Sequence, residues 1–329
     1  MYRTGIIGCG TMGTLHGKLL QQNPDVRIAG VADVDPSRAR EAAALFGCTC
    51  HDSVDALLAS GIDLVFITVP NTKHADLALR ALKRGLHVFV EKPLATGLED
   101  AAKVGDALKK AGTRLFVGYN RRFAPVYREA RRIVSGAAFK PANVNIIQND
   151  GDMANPPWLT DIKMTGGFMY DTTVHFLDMA QYLMGEIVEV RALGKAFFYP
   201  IPDDFVIQLR FAGDTFGAIT TCGHASWISP FERVQVVGDH ASVITEELDR
   251  LSYSASLGAV IEGRDYSKLG HDDKWGYAAM HAHIFDVMKN GVECVNGFRE
   301  GYSVVELIEA CQRSASRDGE IIRFSRSGG

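Results

Sequence analysis

A lysine stands at the end of an apolar run, Val88-Phe89-Val90-Glu91-Lys92-Pro93. Read as a buried parallel strand, the run puts Lys92 at a strand C-terminus, where open α/β sheets bind their ligands. An ammonium group there can donate to an oxygen and stabilise charge developing on it. Burial beside other cations would lower its pKa and make it a proton carrier. Farther along, Asp171, His175 and Asp178 follow one another at spacings of four and three, on one face of a helix. Imidazole titrates near neutral pH and suits proton transfer. Asp171, one turn earlier, can orient the ring and raise its basicity. The competing reading makes Asp171 a helix N-cap and His175 a histidine paired with acids for structural reasons. The residue types leave open whether Lys92 or His175 moves a proton.

A third group is Gly8-Cys9-Gly10-Thr11-Met12-Gly13, between an apolar strand from Tyr2 to Ile7 and a helical pattern from Thr14 to Leu20. This is a dinucleotide-binding arrangement in its required context. The first glycine permits the tight turn, the second lets backbone approach a pyrophosphate, and the third lets helix and strand pack closely. The helix N-terminus offers N–H groups and a positive dipole end to phosphates. A second strand, Val26 to Ala32, ends in Asp33, about 20 residues after the last glycine. A carboxylate there can accept from ribose hydroxyls and repel a 2′-phosphate, which favours NAD. The alternative is that Asp33 only begins a turn with Asp35-Pro36, and Arg38 nearby keeps NADP open. Another strand, Leu64 to Val69 with Thr68 inside it, ends at Pro70-Asn71. His74 follows and enters a helix, as a cofactor contact or as a cap.

These groups need a frame. Up to Leu115–Gly118, strands alternate with helices, as in a parallel doubly wound sheet. After Phe123 the pattern changes to one long run rich in strands. Ala142 to Asn149 is the first, and a loop with Pro156-Pro157-Trp158 follows. A helix is expected from Asp171 to about Met184, then strands at 187–198, 205–211, 216–222, 232–237 and 242–247. Gly213-Asp214 and Gly238-Asp239 suit hairpins of an antiparallel sheet. Helices at 277–289 and 302–313 close the chain. The expected domains are 1–121 and 122–329.

The chain has 329 residues, 47% hydrophobic and 22% charged, with net charge −4. That is an ordinary globular composition, long enough for two domains. No nucleic-acid footprint is expected. The dense basic cluster Arg121-Arg122, Arg128, Arg131 and Arg132 reads as a solvated helix face. No apolar run reaches the length of a membrane span. A strand beginning almost at Met1 argues against a secretory signal. The six cysteines include Cys48 and Cys50, but no second pair or histidine pattern completes a zinc site, so no metal is expected. Reduced thiols and a cytoplasmic location follow.

In order along the chain, the glycine loop, Asp33, Pro70 with His74, Glu91-Lys92-Pro93, Tyr119-Asn120-Arg121-Arg122-Phe123, Gly166-Gly167, Asp171, His175 and Asp178 resemble the glucose–fructose oxidoreductase, inositol dehydrogenase and rhizopine-catabolism (Gfo/Idh/MocA) family. The resemblance covers essentially the whole chain. The acid-Lys-Pro motif joined to Asp-x-x-x-His is specific; the glycine loop is not. It implies an α/β protein: an N-terminal Rossmann domain, then an α+β domain on a large, open, mainly antiparallel sheet. It implies NAD(P)-dependent oxidation or reduction at a hydroxyl/carbonyl carbon of a cyclitol, sugar or related polyol. Lys92, Asp171 and His175 match the family's catalytic positions. The family's lysine-proline bond lies by the nicotinamide, and a cis bond before Pro93 is expected. Glu91 and Asn120 are cofactor contacts or orienters on this reading.

The cofactor set is therefore Gly8, Cys9, Gly10, Thr11, Met12, Gly13, Asp33, Arg38, Thr68, Pro70, Asn71, His74, Glu91, Lys92 and Asn120. The candidate polyol contacts are Lys92, Arg121, Asn149, Asp152, Trp158, Asp171, Thr172, His175 and Tyr277. Trp158 has an equal alternative as an apolar anchor for its loop. His281 and His283, in the late helix, are left out of the site. An open sheet face should seek a partner, so a homodimer or homotetramer through the C-terminal sheet is expected. The alternatives are a redox-assisted eliminating enzyme with a tightly held cofactor, and a non-catalytic dinucleotide-binding sensor.

Overall fold

The computed structural model describes residues 1–226 and 231–324. It divides into two compact units. One is Met1–Gly118 with His281–Val305; the other is Tyr119–Met280 with Glu306–Gly329. A single boundary at 121 misses the return of residues 281–305 to the first unit. Nothing in local periodicity announces that return.

The first unit alternates β1 (Tyr2–Ile7), α1 (Thr11–Gln21), β2 (Val26–Ala32), α2 (Pro36–Phe46), β3 (Thr49–Cys50), α3 (Val54–Leu58), β4 (Leu64–Ile67), α4 (His74–Leu82), β5 (His87–Val90), α5 (Leu98–Ala111) and β6 (Leu115–Val117). The six strands are parallel in the order β3-β2-β1-β4-β5-β6. All of β4 is buried, and so are Val88, Phe89 and Val90 of β5, as expected for strands covered on both faces. Helix boundaries follow local chemistry. Asp35 caps α2 by accepting from Ser37 N, and Pro36 takes its first position. Ser53 caps α3 by accepting from Ala56 N.

The second unit contains α6 (Pro125–Val134), β7 (Pro141–Asn149), α7 (Ile162–Thr165), α8 (Val174–Met184), β8 (Ile187–Lys195), β9 (Asp204–Phe211), β10 (Phe216–Cys222), β11 (Glu232–Gly238), β12 (Ser242–Glu246), β13 (Arg250–Ser254), β14 (Glu262–Asp265) and α9 (His271–Lys274). Two closing helices, α10 (Tyr277–Asn290) and α11 (Phe298–Ala315), each straddle a unit boundary. Then comes β15 (Ile322–Arg323). The sheet has nine strands in the order β14-β13-β12-β11-β7-β10-β9-β8-β15. Among the described residues, only β7 and β10 pair in parallel; the other pairings of this sheet are antiparallel. The expected hairpins join β9 to β10 and β11 to β12, with Asp214 and His240 at positive φ in the turns.

Alternation fixes the faces. Phe205, Ile207, Leu209 and Phe211 of β9 are buried, while Val206, Gln208 and Arg210 are exposed. The exposed face carries a cleft of about 830 Å³ lined in part by Asn143, Asn145, Gln208, Arg210, Phe216 and Ala218. Among the described residues, no helix is long and apolar enough to cross a membrane.

Candidate functional site

The glycine loop has the shape a pyrophosphate requires. Gly8 adopts φ +92°, where a side chain is strained, and a Cβ there would stand 2.6 Å from Thr68 O. A Cβ on Gly13 would stand 1.9 Å from Gly8 O, so only glycine lets α1 pack this close. A Cβ on Gly10, by contrast, would meet nothing within 4 Å. That open space lies at the N-terminus of α1, whose first turn holds no acid and whose cap residue offers no side chain. Thr68 donates its hydroxyl to Gly8 O at 2.7 Å and holds the turn. Thr11 and Met12 form the first turn of α1.

Asp33 is fixed at the end of β2. One carboxylate oxygen accepts from Cys9 N at 2.6 Å and the other from Asp35 N at 2.8 Å. Each oxygen keeps further acceptor capacity for a ribose hydroxyl. Arg38 is drawn to the neighbouring acids, 3.2 Å from Asp35 and 3.9 Å from Asp33. The Cys9 thiol is pushed up to about 12 by burial and by Asp33, so it contributes backbone rather than reactivity. These features fit NAD. Replacing Asp33 with Ala should lower the kcat/KM preference for NAD over NADP by about tenfold, roughly 1.4 kcal/mol. An unchanged ratio would assign Asp33 to the turn alone.

His74 departs from its expected role. It is buried, with Nδ1 2.7 Å from Pro93 O and Nε2 2.8 Å from Val69 O. Both ring nitrogens are taken by backbone carbonyls, leaving neither for a cofactor. Burial pulls its pKa down against the pull of the two carbonyls. It clamps the turn after β4 to the Lys92-Pro93 peptide, which is cis as expected. Asn71 is buried beside this clamp in the turn that follows Pro70.

Glu91 also turns inward. Oε1 lies 2.7 Å from His16 Nε2, and Oε2 accepts from Lys92 N at 3.1 Å. Burial alone would raise its carboxyl, but the His16 hydrogen bond and the Lys92 charge hold it below its ordinary value. A Cβ on Gly118 would stand 2.8 Å from Glu91 Oε2, so glycine makes room for the carboxylate. His16 in turn meets His281, which the sequence reading had set aside; Nδ1 and Nε2 are 2.8 Å apart. Its 265-residue separation from His16 explains why the pairing was invisible.

In the second unit Asp171 lies in a π-helical turn, Met169–Thr173, that runs into α8. Such turns are rare and frequently mark functional sites. Asp171 N donates to Gly167 O, so Asp171 is inside the helix and the N-cap reading fails. Asp171, Thr172 and His175 are half-buried along a helix whose other early positions are buried. Asp178 is held differently, by a buried bidentate pair with Arg122 at 2.7 and 2.8 Å. The sequence reading missed Asp150. Burial raises its carboxyl above the usual range, and Asp171 and Asp152 push the same way against the Gly151 and Asp152 amides.

The other candidate contacts have partners of their own. Arg121 is buried, donating to Glu232 at 2.8 Å and lying over Phe176 and Trp275, each 5.2 Å from the guanidinium. With Arg122 it corrects the solvated-face reading for these two arginines, which enter buried ion pairs, while Arg128 and Arg132 are exposed as expected. Asn120 donates to Trp275 O at 2.9 Å and belongs to the second unit. Asn149 accepts from the Cys222 thiol at 3.3 Å. Asp152 accepts from Ala154 N and lies in an exposed loop with Trp158. Trp158 is 43% exposed. Tyr277 stacks on His271 with ring centres 5.9 Å apart. One metal-ligating group exists among the described residues, Asp204, Cys222 and His224. His224 is bound to Asp204 at 3.2 Å, and burial raises the Cys222 thiol, which favours the protonated form.

Comparison with known proteins agrees with this frame. Residues 2–119 match the model of an oxidoreductase family's NAD-binding Rossmann fold, and residues 142–321 match the same family's C-terminal alpha/beta domain. The chain is 30% identical over 259 residues to a myo-inositol 2-dehydrogenase of Thermotoga maritima, covering 75% of each chain. It is 27% identical to an inositol 2-dehydrogenase of Rhizobium meliloti, covering 97% of this chain and 98% of the other. A levoglucosan dehydrogenase, solved in complex with NADH and levoglucosan, shares the fold with a TM-score of 0.90 at 22% identity, over 99% of both chains.

Proposed function

Since the chain belongs to the Gfo/Idh/MocA oxidoreductase family and is an NAD-dependent oxidoreductase, we propose that it oxidises a CH–OH group of a cyclitol, sugar or sugar derivative. An inositol is the first substrate to try, because relatives named inositol 2-dehydrogenase match nearly the whole chain or three quarters of it. The observation that carries the reading is Lys92. It stands just past β5, at the ligand edge of the parallel sheet that also bears the glycine loop, before a cis proline.

NAD, when bound, supplies the hydride acceptor. Gly8 to Gly13 and the N-terminus of α1 take its pyrophosphate, and Asp33 takes the adenosine ribose. In the proposed mechanism Lys92 donates to the substrate hydroxyl oxygen and stabilises the alkoxide as the hydride leaves. His175 accepts the hydroxyl proton, oriented by Asp171. Thr172 is proposed as a further substrate contact.

A panel of inositols and sugars offered with NAD to the purified protein tests the reading. Reduction of NAD by at least one member is expected. Bound NAD without turnover on any of them would contradict it. We further propose that the exposed face of the nine-stranded sheet joins copies of the chain, in a cytoplasmic homodimer or homotetramer. Exposed Val206 and Phe216 beside the cleft support an interface there. Sedimentation at micromolar concentration should give a dimer or larger; a monomer mass would remove this.

A further inference from the structure

The first unit holds a buried chain of titratable groups that the proposed mechanism does not use. His281 Nε2 lies 2.8 Å from His16 Nδ1. His16 Nε2 lies 2.7 Å from Glu91 Oε1. Glu91 Oε2 accepts from the backbone N–H of Lys92. All three side chains are buried, and His16 packs against Phe66 and Phe89 with ring centres 5.6 and 4.9 Å away. One further atom decides how the chain is wired: His281 Nδ1 is buried and, among the described residues, has no hydrogen-bond partner.

That atom fixes the protons. A buried N–H without an acceptor is rare, and a buried lone pair is tolerated more readily. Burial, with His16 beside it, also drives His281 well below its ordinary pKa, so the ring is neutral. Its single proton then sits on Nε2 and is donated to His16 Nδ1. His16 Nδ1 must be a lone pair, so the proton of His16 is on Nε2 and goes to Glu91. A carboxylate only accepts, which matches both of the Glu91 contacts. Every hydrogen bond in the chain therefore points one way, from His281 through His16 to Glu91, and Lys92 N–H meets Glu91 from the other side.

We propose that His281 and His16 are positioning residues for Lys92, keeping Glu91 a single fixed anion beneath it across the working pH range. With Nδ1 of His16 occupied by a donated proton, His16 has no free site for a second proton, and Glu91 keeps its charge. The groups facing this anion are His16 from α1, Lys92 after β5 and His74 from α4. His281 from α10 is the titratable group facing His16 on its other nitrogen. Loss of the His281 donor would free Nδ1, let His16 become an imidazolium, and cancel the charge that holds the Lys92 backbone. The kinetic consequence rests on the dehydrogenase reading; the wiring does not.

Two measurements test it on the full-length protein. Nitrogen-15 spectra of histidine-labelled protein should show both His281 and His16 carrying their proton on Nε2, with His281 neutral between about pH 6 and 9. A protonated Nδ1 on either ring, or a titration of His281 in that range, would overturn the proposal whether or not turnover is seen. In kinetics with a polyol that the wild type oxidises, His281→Leu should lose about tenfold in kcat at pH 6 and recover toward pH 9. The KM for NAD should stay unchanged. His281→Gln, whose amide can replace the Nε2–H donor, should restore the wild-type pH profile. A His281→Leu profile parallel to the wild type, or a Gln variant as impaired as Leu, would reduce His281 to packing. If the Leu variant does not fold, the Gln profile and the spectra still decide.

Discussion

Lys92→Ala is expected to lower kcat by about a thousandfold while leaving NAD affinity within about tenfold. The asymmetry follows from where the charge of Lys92 is needed. Its ammonium is assigned to an oxygen that gains charge only as the hydride departs, so its loss acts on the transition state. The cofactor is held by other groups. The glycine loop, the α1 N-terminus and Asp33, fixed by Cys9 N and Asp35 N, remain intact in the variant. Glu91 accepts from His16, and His74 meets the carbonyl of Pro93 after the cis peptide. Steady-state kinetics with the best polyol, together with NAD titration by fluorescence, measure both quantities. A wild-type kcat in the variant would remove Lys92 from the chemistry. A hundredfold loss of NAD affinity would make it a cofactor ligand instead.

The largest effect on stability is expected at Glu232. Its side chain is fully buried and accepts from Arg121 at 2.8 Å and from the Tyr127 hydroxyl at 2.8 Å. Glu232→Ala leaves the guanidinium buried without its counter-charge. Such a loss costs about 3–5 kcal/mol, because desolvation of the remaining ion is no longer offset. Replacing Arg121 by Met, Tyr127 by Phe and Glu232 by Leu together removes the charges and the hydroxyl as a set. That triple variant should recover most of the stability, since apolar replacement of a whole buried pair is often near neutral. Urea unfolding measures both. A Glu232→Ala loss below about 1 kcal/mol would mean that Arg121 finds solvent, as a surface pair does.

The legible parts of this chain were those whose chemistry is local. The glycine loop, Asp33 and Lys92 each depend on a few neighbouring residues, and the structure places each at the strand or helix end its pattern implied. The strands β9 to β12 were also legible, because one buried face imposes alternation. β14 was not, since all four of its residues are exposed and alternation has nothing to report. The arginines at 121 and 122 were misread for a related reason. A charged helix start looks solvated unless its buried partners are known, and Glu232 and Asp178 lie 111 and 56 residues away. His16 and His281 illustrate the same limit, as does Asp150, whose carboxyl is raised by burial that no spacing predicts. The π turn under Asp171 kept the expected helix but moved its start upstream, so the carboxylate sits inside the helix rather than capping it.

The central claim is that this chain takes a hydride from a polyol carbon onto NAD with Lys92 at the oxygen. It is tested most directly with a polyol deuterated at its carbinol carbons, offered with NAD to the wild type and to Lys92→Ala. The account predicts deuterium on the nicotinamide ring with the wild type, detected by mass spectrometry, and almost none with the variant. NAD bound by both proteins with no deuterium transferred from any polyol, or equal transfer by both, would contradict it.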